Sequence, residues 1–172
     1  GMDSEQMMMG QSAAVARAPR FFRDVLGFPY GQGMKFVSYL KRGKDWAPVD
    51  RAFANLPEST EQIIHPEKYL RDHPKPIQVQ SDARVHGTSL GQDTAGEFTI
   101  RCWARENGSG DEAAAGWGGD RYEIFRTPSG LAGVWATSWD SDKDAVEFEK
   151  LAKKRCKAVE RSGRDVMVLF LQ

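Results

Sequence analysis

Two cysteines in 172 residues are too few for a disulfide framework. The three histidines, His65, His73 and His86, are never three or four residues apart, the separation that puts two imidazoles on one side of a helix. No zinc site is therefore written in the chain, although His65 and His73 lie close to Glu67 and Asp72. Charge of one sign is also missing. The 24 Lys and Arg balance 24 Asp and Glu, and neither half carries a long basic run, so phosphate backbones and anionic lipid are poor partners by that count. No apolar stretch nears the roughly 20 residues that cross a bilayer, and no leader with a basic start and an apolar centre opens the chain. The pair Gly1-Met2 reads as the scar of a cleaved tag, so a longer natural protein is expected.

What the chain has is length enough for one large domain or two small ones, with a sizeable core. Residues 12 to 26 suit a helix, and Pro29 opens a second with Met34, Phe36, Val37 and Leu40 on its apolar face, ended by Gly43. Asp45 is placed to cap a third helix carrying Trp46, Val49, Ala52 and Phe53. Ser59 with Gln62 has capping-box form and starts a short fourth helix, which Pro66 interrupts. The character changes at His73-Pro74-Lys75-Pro76, after which Ile77 and Val79 alternate with polar residues as a strand would.

Thr94 and Glu97 suggest a second capping box before a helix with Phe98, Cys102 and Trp103. Arg121 to Thr127 and Leu131 to Trp139 read as a hairpin around Pro128-Ser129-Gly130. Ser141 caps a helix expected to run, with Cys156 and Val159 on its apolar face, to Gly163. Val166 to Leu171 has the continuous apolar character of a central strand. The expected class is α+β: a helical part over residues 12–72, then a ferredoxin-like βαββαβ unit over 73–172, four antiparallel strands with two helices on one face. Cys102 and Cys156 fall on those two helices, as a bridge or as buried free thiols.

Serine nucleophiles in an elbow, a Gly-rich phosphate loop and paired metal ligands are all missing. Two polar clusters stand out instead. In Ser59-Thr60-Glu61-Gln62 with His65, Lys68 and Tyr69, the side chains Glu61, His65 and Lys68 recur at three and four residues and would share a face on continuous helix, suited to a polar ligand or acid–base work. In Gly116-Trp117-Gly118-Gly119-Asp120-Arg121-Tyr122, Trp117 offers a flat face and Asp120-Arg121 a charge pair. Caps, a proline turn and a buried tryptophan would account for the same residues.

The stretches STEQIIHPEKY and GWGGDRY, with Phe28-Pro29-Tyr30, DTAGEF and WDSDKDAVEF, resemble the C-terminal part of uncharacterised bacterial and archaeal zincin-like metallopeptidases. In those proteins an upstream helix carries H-E-x-x-H, two histidines holding zinc and the glutamate activating water. No H-E-x-x-H occurs here, so no zinc ligand carries over, and zinc belongs only to a longer natural protein. The resemblance implies a non-catalytic C-terminal module that supports or gates an upstream catalytic domain of the same protein, in an extracytoplasmic setting. The alternative is a module binding a peptide or small polar ligand, which a pocket lined by Glu61, His65 and Trp117 would favour. A self-sufficient hydrolase using Glu61 and His65 would need a metal or a perturbed carboxylate there.

Overall fold

Residues 13–43, 45–71, 85–156 and 158–171 are described by the computed structural model, and the chain divides into two units, Gly1–Lys75 and Pro76–Gln172. The expected strand at Ile77 and Val79, the proline seam before it and His73 lie outside the described residues.

In the first unit α1 (Ala13–Arg17) is followed by α2 (Arg20–Leu40), a single 21-residue helix. The expected break near Pro29 falls instead at Ala18-Pro19, where Pro19 is extended, with ψ of 147°. Pro29 sits inside α2; its ring removes one backbone hydrogen bond, a local cost that the helix on either side outweighs. Asp45 accepts from Ala47 N at 3.0 Å just ahead of α3 (Ala47–Ala54), but the N-cap is Trp46, one residue after the expected cap and without a side-chain capping bond. Ser59 accepts from Gln62 N at 3.3 Å to start α4 (Thr60–Ile64), and Pro66, suited to a first helical position, opens α5 (Pro66–Arg71). Phe36 and Leu40 of α2 bury against Val49 and Ala52 of α3 and Tyr69 of α5.

The second unit is a five-stranded antiparallel sheet. Its strands are β1 (Thr88–Asp93), β2 (Trp117–Thr127), β3 (Gly130–Trp139), β4 (Ala158–Ser162) and β5 (Asp165–Leu171), in spatial order β1-β2-β3-β5-β4. Two helices, α6 (Gly96–Glu106) and α7 (Asp142–Lys153), accompany it, with a single 3₁₀ turn at Asp111–Ala113. Ile100 and Ala104 of α6 and Ala145, Phe148, Leu151 and Ala152 of α7 share one core with Trp117, Trp135, Trp139, Val166 and Val168 of the sheet.

The α+β class and the leading helices hold, but the sheet differs from the expected four-stranded ferredoxin-like unit in strand number. Two strands stand where none was expected: β1, ahead of α6, and β4, since α7 stops at Lys153 and Val159, expected on its face, pairs with Val168 of β5. A ladder with β5 gives residues 158–162 backbone partners that a frayed, lysine-rich helix end would not. Gly163, at φ +58°, supplies the turn between β4 and β5. Along the chain β1 and β2 are also adjacent and antiparallel, so α6 does not link parallel strands. The expected cap at Thr94 is replaced as well: the helix N-cap is Ala95, and the Thr94 hydroxyl donates to the Asp120 carbonyl at 3.2 Å. Cys102 and Cys156 are not joined in a disulfide, and burial pushes the Cys156 thiol up. Among the described residues no helix is long and apolar enough to cross a membrane.

Candidate binding cleft

The GWGGDRY stretch is spent on the second unit's own architecture. Side chains of a regular strand alternate faces, so residues three apart would point in opposite directions. A register shift between Trp117 and Gly119 inserts one residue at Gly118, and Trp117 and Asp120 consequently pair with Trp139 and Thr137, both on one face. Asp120, 3% exposed, then accepts four N–H groups. Its Oδ1 takes Gly96 N and Trp117 Nε1, each at 2.9 Å, and its Oδ2 takes Ala95 N and Trp135 Nε1, each at 2.8 Å. One carboxylate thus caps α6 and fixes two indoles. Arg121 Nε donates to Gln92 across the strands at 3.2 Å. Gly116, at φ +73°, precedes this bulge, and a Cβ there would run into the Asp144 carboxylate.

In the first unit the polar members of STEQIIHPEKY also turn inward. The helix breaks at His65, so Glu61, His65 and Lys68 do not share a continuous face. Lys68 Nζ instead reaches back to Glu61 Oε1 at 2.5 Å, and His65 Nδ1 lies 3.6 Å from Glu67. Gln62 is fully buried, its Oε1 accepting from Glu58 N at 2.8 Å, while Ser59 caps α4 and half-buried Thr60 begins it. Tyr69 is buried with its hydroxyl on the Asn55 carbonyl at 2.6 Å, ring edge-on to Phe36. Burial pushes its phenol up, against the Arg51 charge, which lowers it. Among the described residues no three His, Cys, Asp or Glu side chains converge as a metal needs.

It is the apolar part of the same stretch that borders open space. A cleft of about 510 Å³ lies between α2 and the α4–α5 corner. Ile63, Ile64 and Pro66 form one wall, α2 contributes Gln32, Met34, Lys35, Ser38 and Tyr39, and the turn that follows it adds Arg42. Residues 32, 35, 39 and 42 recur at three and four, one row along a helix, which is why one face of α2 can line the cleft while Phe36 and Leu40 face its core. The Arg42 guanidinium lies over the Tyr39 ring, 3.8 Å from its centroid, an arrangement that keeps the cation at the rim. Among the described residues the lining holds two cations and no carboxylate, a balance that favours an anion, and the isoleucines and Met34 add an apolar floor. Sequence reasoning passed over the α2 residues; the Lys35-to-Arg42 spacing was the available signal.

Searches of curated proteins and of solved structures returned no match. A family model described as a domain of unknown function, DUF8575, matches residues 83–169. That segment takes in β1 to β4, most of β5 and the Asp120 hub and lies C-terminal to the cleft-lining residues in sequence, and on the strength of the match the chain belongs to the DUF8575 family.

Proposed function

We propose that the chain is a binding module, with no chemistry of its own, for a peptide or small polar ligand bearing a carboxylate and an apolar group. The carrying observation is the pairing of Lys35 and Arg42 with Met34, Ile63 and Ile64 in one cleft. Cations at the rim of an apolar wall hold a carboxylate by charge-assisted hydrogen bonds and bury the group attached to it. Short peptides ending in leucine with a free carboxyl group should bind and shift the amide resonances of residues lining the cleft. Their amidated counterparts should bind at least about tenfold more weakly, and Arg42→Glu should cost a similar factor, as loss of one charged hydrogen bond does. Equal binding of acid and amide, or an Arg42→Glu chain that binds as before, would refute the assignment.

The wording of STEQIIHPEKY and GWGGDRY supports a second placement for such a module, beside an upstream zinc-dependent half of a metallopeptidase-like protein that it supports or gates. On that reading the 172-residue chain purifies without stoichiometric zinc and cleaves no peptide, with or without added zinc. One zinc per chain by mass spectrometry, with chelator-sensitive cleavage, would overturn it.

A further inference from the structure

The two cations of the cleft are set apart along one line of one helix. Lys35 and Arg42 are seven residues apart, which leaves them about 20° from the same azimuth on α2 at 3.6 residues per turn. The turn after Leu40 keeps the helical path, with the Lys41 amide on the Val37 carbonyl at 3.0 Å and the Arg42 amide on the Tyr39 carbonyl at 3.4 Å. The two Cα atoms therefore stand about 10 Å apart along the axis. The Arg42 guanidinium rests on the Tyr39 ring, 3.8 Å from its centroid, and residue 39 is about 6 Å beyond residue 35 by the same rise. The arginine charge is thereby placed about 6–10 Å along the helix from Lys35, the span of two or three residues of extended chain.

Lys35 and Arg42 are both exposed, and the acids of the facing corner are turned elsewhere. Glu61 Oε1 takes the Lys68 ammonium at 2.5 Å, and Glu67, next to Pro66, lies 3.6 Å from His65 Nδ1. A ligand with one negative group can meet one of two cations held apart in this way; a ligand with two, at the matching distance, meets both. Resting on the cleft assignment above, we infer that the ligands are peptide C-termini with an acidic side chain two or three residues before the last. The terminal carboxylate lies on Arg42, whose planar fork takes both of its oxygens, and the acidic side chain lies on the compact ammonium of Lys35. Side chains of an extended chain alternate, so the neighbour of the acidic residue faces away from α2, toward Ile63, Ile64 and Pro66.

Short acetylated peptides ending in leucine, with a free carboxyl group and one other charge, separate this inference from the assignment it rests on. A glutamate two or three residues before the leucine should tighten binding to the full chain by about fivefold over its glutamine counterpart, the upper end for an exposed ion pair. A glutamate moved several residues further from the leucine should gain less than about twofold, since salt screens a charge that makes no contact. Lys35→Gln should erase the gain and keep the preference for acid over amide, whereas Arg42→Gln should do the reverse. In Lys35→Glu, a lysine at the same peptide position should bind better than the glutamate. Circular dichroism checks the helix content of each variant, and the comparison of glutamate with glutamine peptides on the parent chain needs no variant. Equal binding of those two peptides, a gain indifferent to position, or a gain that survives Lys35→Gln would overturn the inference and leave the cleft assignment standing. Equal binding of acid and amide forms would overturn both.

Discussion

Asp120→Ala is expected to lower the unfolding free energy by about 3–5 kcal/mol, the range found when one side of a buried charged network is deleted. Four donors lose their acceptor at once: the amides of Ala95 and Gly96 and the indoles of Trp117 and Trp135. Each buried donor left bare costs about 1–3 kcal/mol, reduced where water enters the hole. A typical domain holds only about 5–15 kcal/mol in total, so the second unit should be close to unfolding. Asp120→Asn should fall between, because its amide keeps one accepting oxygen and turns a donor toward two donors. Denaturant titration followed by tryptophan fluorescence is suited to the measurement, since Trp103, Trp117, Trp135 and Trp139 all lie in that unit. A loss below about 1 kcal/mol for the alanine variant, the net worth of a single ordinary hydrogen bond, would mean the four contacts do not hold the helix to the hairpin.

Phe148→Ala should cost a comparable amount, about 3–5 kcal/mol, for a different reason. Phe148 is 0% exposed and sits where helix meets sheet. Its ring centroid lies 4.8 Å from Trp139, 5.4 Å from Trp135 and 6.1 Å from Trp103. Truncation opens a cavity walled by three indoles too large to close over it. Phe148→Leu keeps most of the volume and should cost less than about 1.5 kcal/mol. Near-ultraviolet circular dichroism of the alanine variant should lose intensity as the indoles gain freedom; an unchanged spectrum with unchanged stability would show that Phe148 is not the centre of this core. Because Trp135 touches Phe148 and donates to Asp120, the double variant should lose less than the two singles together.

Where neighbours in the chain carry the information, the sequence is legible. The β2–β3 hairpin follows from two stretches rich in aromatic and β-branched residues on either side of a Pro-Ser-Gly turn. The Ser141 cap marks the start of α7 because its hydroxyl needs only the amide of Asp144. The short α4 is legible for the same reason, through Ser59 and Gln62. By contrast, β4 was hidden, since residues 158–162 acquire strand geometry from pairing with β5, which the local pattern does not contain. The continuity of α2 through Pro29 was hidden too, because proline's preference is a bias that neighbouring helical turns override.

Of the candidate site, the stretches were visible and the directions of their side chains were not. Glu61, Gln62 and Tyr69 look like surface chemistry in a list of residues, and each is buried on an internal partner. Asp120 looks like half of a charge pair with Arg121, yet a one-residue bulge turns it onto the face of Trp117, where it caps a helix 24 positions away. Composition, the period of apolar residues and the local caps determined by themselves that this is an α+β chain with helices first and a sheet after. Which polar groups face inward, where β1 and β4 lie and which wall of α2 borders a cleft were decided only by tertiary structure. Those features depend on contacts between residues distant in the chain, and a pattern of nearest neighbours does not encode them.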